Sequence, residues 1–424
     1  MKHFRNPRLL CIATALALCG AVARAQEGPP GADLPGLLTL ARQGNPEYAG
    51  MRYEIQAAAE RVEPAGALPD PKFRLELRDI TRFGEQNPSL LPGRVGSTRY
   101  LLMQDLPWFG KRELRREIAE IEVEASRGRT SGAWSELAAR IKIAHAQRYY
   151  LQRNEQLTRE QLDLVTRLEQ VAQTRYAGGL ATQQDVIRSQ VEQTNMRSEL
   201  VALASERRQV DARLNTLLAR PAAALLAEPL AGRVLPEPAR FEPAGLEQRV
   251  RAGNPLLLAE EARIRSAQKS RDLAYKNRYP DFTLGISPIQ YQTSIKEWEL
   301  MVEINIPFQQ SSRRAQERES EAMLAVALSR KETLANQLLA ELAQNLAGIE
   351  AAQRTGVLAG TSLAPQAELS FRSAVAGYEN GKVDFATLLD AQRQIRQARQ
   401  TRIKAEAEAQ MRLAEIEKLL GEDL

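Results

Sequence analysis

Few side chains in this 424-residue chain could carry chemistry. Residues 1–25 have the order of an export signal. Lys2, Arg5 and Arg8 precede the apolar run LLCIATALALCG (9–20), and Ala23-Arg24-Ala25 forms an A-x-A cleavage site before Gln26. Both cysteines, Cys11 and Cys19, lie in that segment, and beyond it His145 is the only histidine. Cleavage therefore leaves no thiolate nucleophile, no disulfide and no cysteine metal ligand. A second reading of the segment lipidates Cys19, but Leu18 stands where a small residue is wanted. There is no Gly-rich phosphate loop, no HExxH and no Ser-centred elbow. Carboxylate pairs are too numerous in so helical a sequence to single one out. No enzyme, no cofactor and no bound metal is expected.

Removing the four basic residues of the signal (Lys2, Arg5, Arg8, Arg24) lowers the formal charge from +5 to +1. The high pI is then mostly the signal's, and nucleic-acid binding loses its electrostatic support. After the signal no run of 18 apolar residues occurs. An exported chain of this kind is either soluble outside the inner membrane or enters a membrane through β-strands. Aromatic residues make up only 5% of a chain rich in Ala, Leu, Gln, Glu and Arg, which points to long helices.

The elements that must position anything functional are written twice. QGNP at 43–46 recurs as AGNP at 252–255, and Pro69-Asp70 recurs as Pro280-Asp281. LPWF (106–109) recurs as IPFQ (306–309), and Tyr176-x-x-Gly179 recurs as Tyr378-x-x-Gly381. The division expected is a first repeat over 26–219, an irregular proline-rich linker over 220–243 and a second repeat over 244–424. Each repeat holds two strands with period-2 alternation, at 72–80 and 98–106 and at 281–287 and 296–306. Residues 81–97 and 289–295 are the expected hairpin loops. Strands of roughly ten residues match a tilted membrane-spanning strand. Four strands are too few for a transmembrane barrel, so several chains must share one.

Each repeat also holds a long helical hairpin, 111–219 and 312–421. Lys111 to Tyr176 is 66 residues without proline, about 100 Å as one helix. Pro365 implies a kink or broken turn in the second hairpin. A helix is expected after each Asn-Pro, over 46–63 and 255–277. In the last helix Leu388, Ala391, Ile395, Ala398, Arg402, Ala405, Ala409, Arg412, Ile416 and Leu419 fall at alternating spacings of 3 and 4, a coiled-coil seam. Gly178-Gly179 and Gly381 would supply the bends, with Thr182 and Asp384 capping the returning helices.

With RYAGGLATQQDV (175–186) and GYENGKVDFATLLDAQ (377–392), this plan resembles the outer membrane factors, the TolC-like exit ducts of tripartite efflux pumps and type I secretion. GNPEY (44–48), ALPDPKF (67–73), QDLPWFGKRELRRE (104–117) and GKVDFATLLDAQR (381–393) look most like its heavy-metal, CzcC/CusC-type branch. The resemblance implies a mainly α chain with a membrane β-barrel. It would be a homotrimer with a 12-stranded barrel in the outer membrane and a 12-helix α-barrel in the periplasm. Trp108 would sit where a barrel strand leaves the membrane. The duct would be passive, with an inner-membrane RND pump and a periplasmic adaptor as partners.

By the same resemblance, the adaptor would dock on the hairpin tips: Tyr176, Gly178, Gly179, Leu180 and Thr182 on the first, and Tyr378, Gly381, Lys382 and Asp384 on the second. Asp185 and Asp390 match positions that narrow the periplasmic mouth, and a ring of Asp390 would concentrate cations there. Thr387 stands where a second gate carboxylate can occur, and Val383 replaces a basic tip residue. The methionines are scattered, so a metal would pass as an ion without being ligated. The alternatives within the family are drug or solvent efflux and type I secretion. The alternative of another class is a periplasmic coiled-coil adaptor.

Overall fold

The computed structural model describes residues 29–424; the signal segment and Cys19 lie outside them. The described chain is ten α-helices and four strands, dividing into two compact units. One comprises the described residues up to Ala41 together with Ala144–Gly232, and the other comprises Arg42–Ile143 and Arg233–Leu424.

The second unit holds the sheet. β1 (Lys72–Arg78), β2 (Ser97–Leu106), β3 (Asp281–Tyr291) and β4 (Ser294–Asn305) pair antiparallel in chain order. β2 and β3 join the repeats, with Leu102 opposite Ile286 and Leu106 opposite Phe282. The register places Phe73, Leu75, Leu102, Leu284, Ile286, Trp298, Leu300 and Val302 on one face, all exposed. The other face carries Arg74, Glu76, Arg99, Glu299 and Glu303. Arg99 is its centre, 2.6 Å from Glu299 and 3.7 Å from Glu76.

The strand bounds differ from expectation in two places. β1 stops at Arg78 because Asp79 turns left-handed (φ 53°) and its carboxylate accepts the Phe83 N–H at 2.7 Å. The expected loop at 289–295 is mostly strand, with only Gln292 and Thr293 turning. A register shift between Ile289 and Gln290 inserts a bulge, which breaks the alternation that a sequence reading relies on.

Two short helices, α1 (Leu34–Gly44) and α2 (Pro46–Glu60), meet at Asn45, whose side chain accepts from the Tyr48 N–H; α3 (Val62–Gly66) continues to β1. The same Asn-Pro device joins α6 (Pro243–Gly253) to α7 (Pro255–Lys276), with Asn254 accepting from Leu256 and Leu257. Each proline occupies the first turn, where its missing N–H costs nothing.

α4 (Lys111–Ala177) is one continuous helix of 67 residues. Gly128 and Gly132 lie a turn apart where it passes α7: a Cβ at Gly128 would fall 2.9 Å from that of Ala259, and one at Gly132 would fall 2.7 Å from Leu256. These glycines serve close approach. In the second repeat α8 (Gln310–Leu358) runs through a π turn (Ala359–Leu363) into α9 (Ala364–Glu379), with Pro365 in the first turn of α9. The proline's missing donor is absorbed by the wider turn, so the helical path is not broken.

α10 (Phe385–Leu420) buries Leu388, Ala391, Ile395, Ala398, Ala405, Ala409, Ile416 and Leu419 of the expected seam, while Arg402 pairs with Glu406 and Arg412 pairs with Glu408 and reaches Asn345 of α8. Its C-terminal half packs Leu413, Ile416 and Leu420 with Leu246, Val250, Leu338 and Leu342 of α6 and α8. The helix ends at Gly421 in the left-handed region (φ 77°).

In the first unit the distal part of α4 faces α5 (Gln183–Leu217), with Val165, Ala172, Met196 and Leu214 fully buried. The residues that follow α5 are tied down by Asn215, which donates to the Ala222 and Ala224 carbonyls. Arg148 bonds Asp211 at 2.6 Å and the Ala227 carbonyl at 2.9 Å. His145 beside it is buried, and burial first and the Arg148 charge second push its pKa below the usual value.

Candidate functional site: the hairpin turns and the strand-to-helix junction

Both helical turns are closed by the same hydrogen-bond pattern. After α4, Leu180 N–H donates to the Arg175 carbonyl at 2.8 Å and Gly179 N–H donates to Tyr176 at 3.0 Å. After α9, Lys382 donates to Gly377 at 2.8 Å and Gly381 donates to Tyr378 at 3.1 Å. These are Schellman closures with Gly179 (φ 72°) and Gly381 (φ 68°) at the left-handed position. Gly178 is not required by the backbone: it is not left-handed, and a Cβ there would make only ordinary contacts at 3.7 Å.

Beyond the shared bend, the turns differ. Tyr378 and Phe385 are buried against each other in the second, whereas Tyr176 and Leu180 are exposed in the first. Asp384 caps α10, accepting from the Thr387 N–H at 2.9 Å and its hydroxyl at 2.6 Å. Thr387 is thereby committed to the cap. Thr182 occupies the matching position on α5 but makes no side-chain cap; the expectation of a hydroxyl cap there is corrected. Its carbonyl accepts from the Asp185 N–H instead.

Asp185 is half-buried in the first turn of α5. Asp390 is exposed on α10, 3.5 Å from Arg393 one turn on. Among the described residues no group of His, Cys, Asp and Glu could hold a metal ion, and no helix is long and apolar enough to cross a membrane.

The strand-to-helix junction is held by Asp281. Its carboxylate accepts from the Trp108 N–H and the Lys111 ammonium, each at 2.8 Å. Trp108 stacks on Tyr279 with ring centroids 5.1 Å apart. The Pro-Asp and Pro-aromatic signatures of the sequence thus meet at one corner.

A second buried node was not legible in the sequence. Glu417 accepts from Lys142 at 2.8 Å, from both ends of the Arg233 guanidinium, and from the Leu424 N–H at 2.9 Å. Burial works against the Arg233 charge, but the hydrogen bonds and charge of Glu417 outweigh it and hold its pKa above the usual value.

The outer membrane efflux protein family model matches residues 37–220 and again 246–422. The chain belongs to this family. It is accordingly a passive outer-membrane efflux channel and not an enzyme, and the coiled-coil adaptor alternative is set aside. Within the family the chain is 23% identical to the cobalt-zinc-cadmium resistance protein CzcC of Cupriavidus metallidurans over 92% of this chain and 90% of that protein. The solved structure of CusC shares its fold with a TM-score of 0.79 and 16% identity over 94% of this chain and 96% of that one. The channel OprN does so with a TM-score of 0.77 and 21% identity over 92% and 89%. VceC of Vibrio cholerae gives 0.77 and 19% over 92% and 96%. Family members work as trimers with a periplasmic adaptor and an inner-membrane pump.

Proposed function

We propose that three copies of this chain form one exit duct for heavy-metal cations, fed by an inner-membrane RND pump through a periplasmic adaptor. The metal reading is carried by the likeness to CzcC across nearly the whole chain, since that protein's name assigns it to cobalt, zinc and cadmium resistance. The trimer is supported by the sheet. Four strands with β1 and β4 as open edges and one exposed, predominantly apolar face are incomplete alone. Three sheets edge to edge give twelve strands, with the Arg99 face turned to the lumen. The exposed Leu358, Leu363 and Leu369 around the π turn are further surface for a neighbouring copy to cover.

In this reading 26–219 and 244–424 are the two structural repeats, and 220–243 belongs to the middle of the assembly. The turns at 176–182 and 378–384 meet the adaptor. Tyr176 and Leu180 offer apolar contact on the first; Lys382 offers charge on the second. Asp185 and Asp390 line the periplasmic mouth, where threefold copies of Asp390 favour cations. Cations then pass hydrated, without ligation.

Deleting the gene in a strain with no other duct tests the cargo. Cobalt, zinc and cadmium tolerance should fall and return with the wild-type gene. Unchanged metal tolerance with a rise in drug sensitivity would transfer the cargo to organic compounds.

A further inference from the structure

A groove of about 680 Å³ opens where β2 gives way to α4, outside the path of any cargo in the duct reading. Its apolar wall is continuous with the exposed face of the sheet through Phe282 and Leu284. Leu68 and Phe109 extend that wall at the junction, and Phe109 is 81% exposed although it is a large aromatic. Trp108, stacked between Tyr279 and Phe282, gives the wall a fixed shape.

The opposite wall is basic. Arg112 and Arg116 stand four residues apart on one face of α4. Arg112 donates from Nε and Nη2 to the Gly66 carbonyl, at 2.9 and 2.7 Å, which orients the guanidinium while leaving its charge without a carboxylate partner among the described residues. Arg116 is paired with Glu120 at 2.9 Å, but both are exposed, so solvent screens that pair. Glu113 is the one opposing carboxylate among the groove's lining residues.

We propose that this groove binds the headgroup of an anionic glycerophospholipid from the periplasmic leaflet of the outer membrane. The inference rests on the reading that the sheet spans that membrane with α4 on its periplasmic side. Two guanidinium groups match the geometry and charge of a phosphodiester. The aromatic wall suits the glycerol and first acyl carbons at the depth where amphipathic rings settle. A peptide would supply no reason for the groove to run unbroken onto a lipid-facing sheet. A zwitterionic headgroup would leave the basic wall without net complement.

Native mass spectrometry of the full-length, detergent-extracted protein tests this with three probes: dioctanoyl phosphatidylglycerol, dioctanoyl phosphatidylcholine and inorganic phosphate. One phosphatidylglycerol per chain should be retained in preference to the other two. Arg116→Gln should weaken that retention about fivefold, and Arg112→Gln by at least as much. Because Arg112 also holds Gly66, Arg116→Gln carries the result where Arg112→Gln does not fold. Glu113→Gln, which removes the opposing charge, should strengthen retention. Equal retention of phosphatidylcholine, phosphate binding as tight as phosphatidylglycerol, or unchanged retention in Arg116→Gln would overturn the site. Fractionation of the wild type reads the membrane placement separately: absence from the outer-membrane fraction would overturn that reading and not the site's chemistry.

Discussion

The ring of Tyr378 meets the ring of Phe385 edge-on across the second hairpin turn, with centroids 5.3 Å apart and planes inclined by 60°. Phe385 is fully buried there. The first turn has Tyr176 and Gln183 at the matching places, and its tyrosine is half exposed. The second turn thus adds a buried aromatic pair to the backbone closure that both turns share. Replacing Phe385 by Gln puts at that place the residue the first turn carries there and removes a buried aromatic worth about 3 kcal/mol. Amide exchange over 376–390 should quicken while 176–190 is unchanged. Unaltered exchange over 376–390 would show that the ring pair does not hold the turn.

Neighbouring residues on β4 should behave oppositely. Leu300 lies on the apolar face and Glu299 on the charged one. In the proposed barrel, Leu300→Arg would place a guanidinium against lipid at a cost of about 2–4 kcal/mol near the bilayer midplane and should block assembly in the outer membrane. Glu299→Gln loses the pair with Arg99 but stays on the polar face, so it should assemble. Quantifying the folded protein in outer-membrane fractions distinguishes the two faces. Equal loss in both variants would contradict the assignment.

Glu417 neutralises Lys142 and Arg233 together in a buried position. Glu417→Gln leaves both cations without their common partner, at a cost of about 3–5 kcal/mol. The thermal midpoint of the detergent-solubilised protein should fall, and proteolysis in the linker after Arg233 should rise. An unchanged midpoint would mean that Asp423, which also reaches Lys142, suffices.

These contacts show what a sequence can and cannot disclose. The seam of α10 and the left-handed glycines at 179 and 381 are local periodicities and turn signals, so they can be read directly. The bulge after Ile289 erased the alternation that would have extended β3, and a π turn leaves no periodic mark. Thr182 and Asp384 look alike as caps, yet only the carboxylate engages. The Glu417 node joins residues 275 and 184 positions apart, a proximity set by helix packing and invisible to any window. The apolar and charged faces of the sheet were separable by alternation, but the arginine wall of the groove needed the register of α4 against α3.

Acid should destabilise the first unit through His145. Burial and the Arg148 charge lower its folded pKa, with Asp33 opposing them. Above the unfolded value of about 6.5 the imidazole is neutral in both states and costs nothing. As pH falls below that value the unfolded chain takes up a proton that the folded chain resists, so stability declines by at most about 1.4 kcal/mol per pH unit. Melting curves between pH 8 and 5 should show the decline, and His145→Asn should flatten it. An equal decline in that variant would assign the acid sensitivity to other groups.

The central claim is that four strands per chain close one barrel only when three chains combine. The most direct measurement is the mass of the intact complex extracted from the outer membrane in mild detergent. The account predicts three mature chains, dissociating on heating. A folded monomer, or release of the protein as a soluble species by osmotic shock, would contradict it.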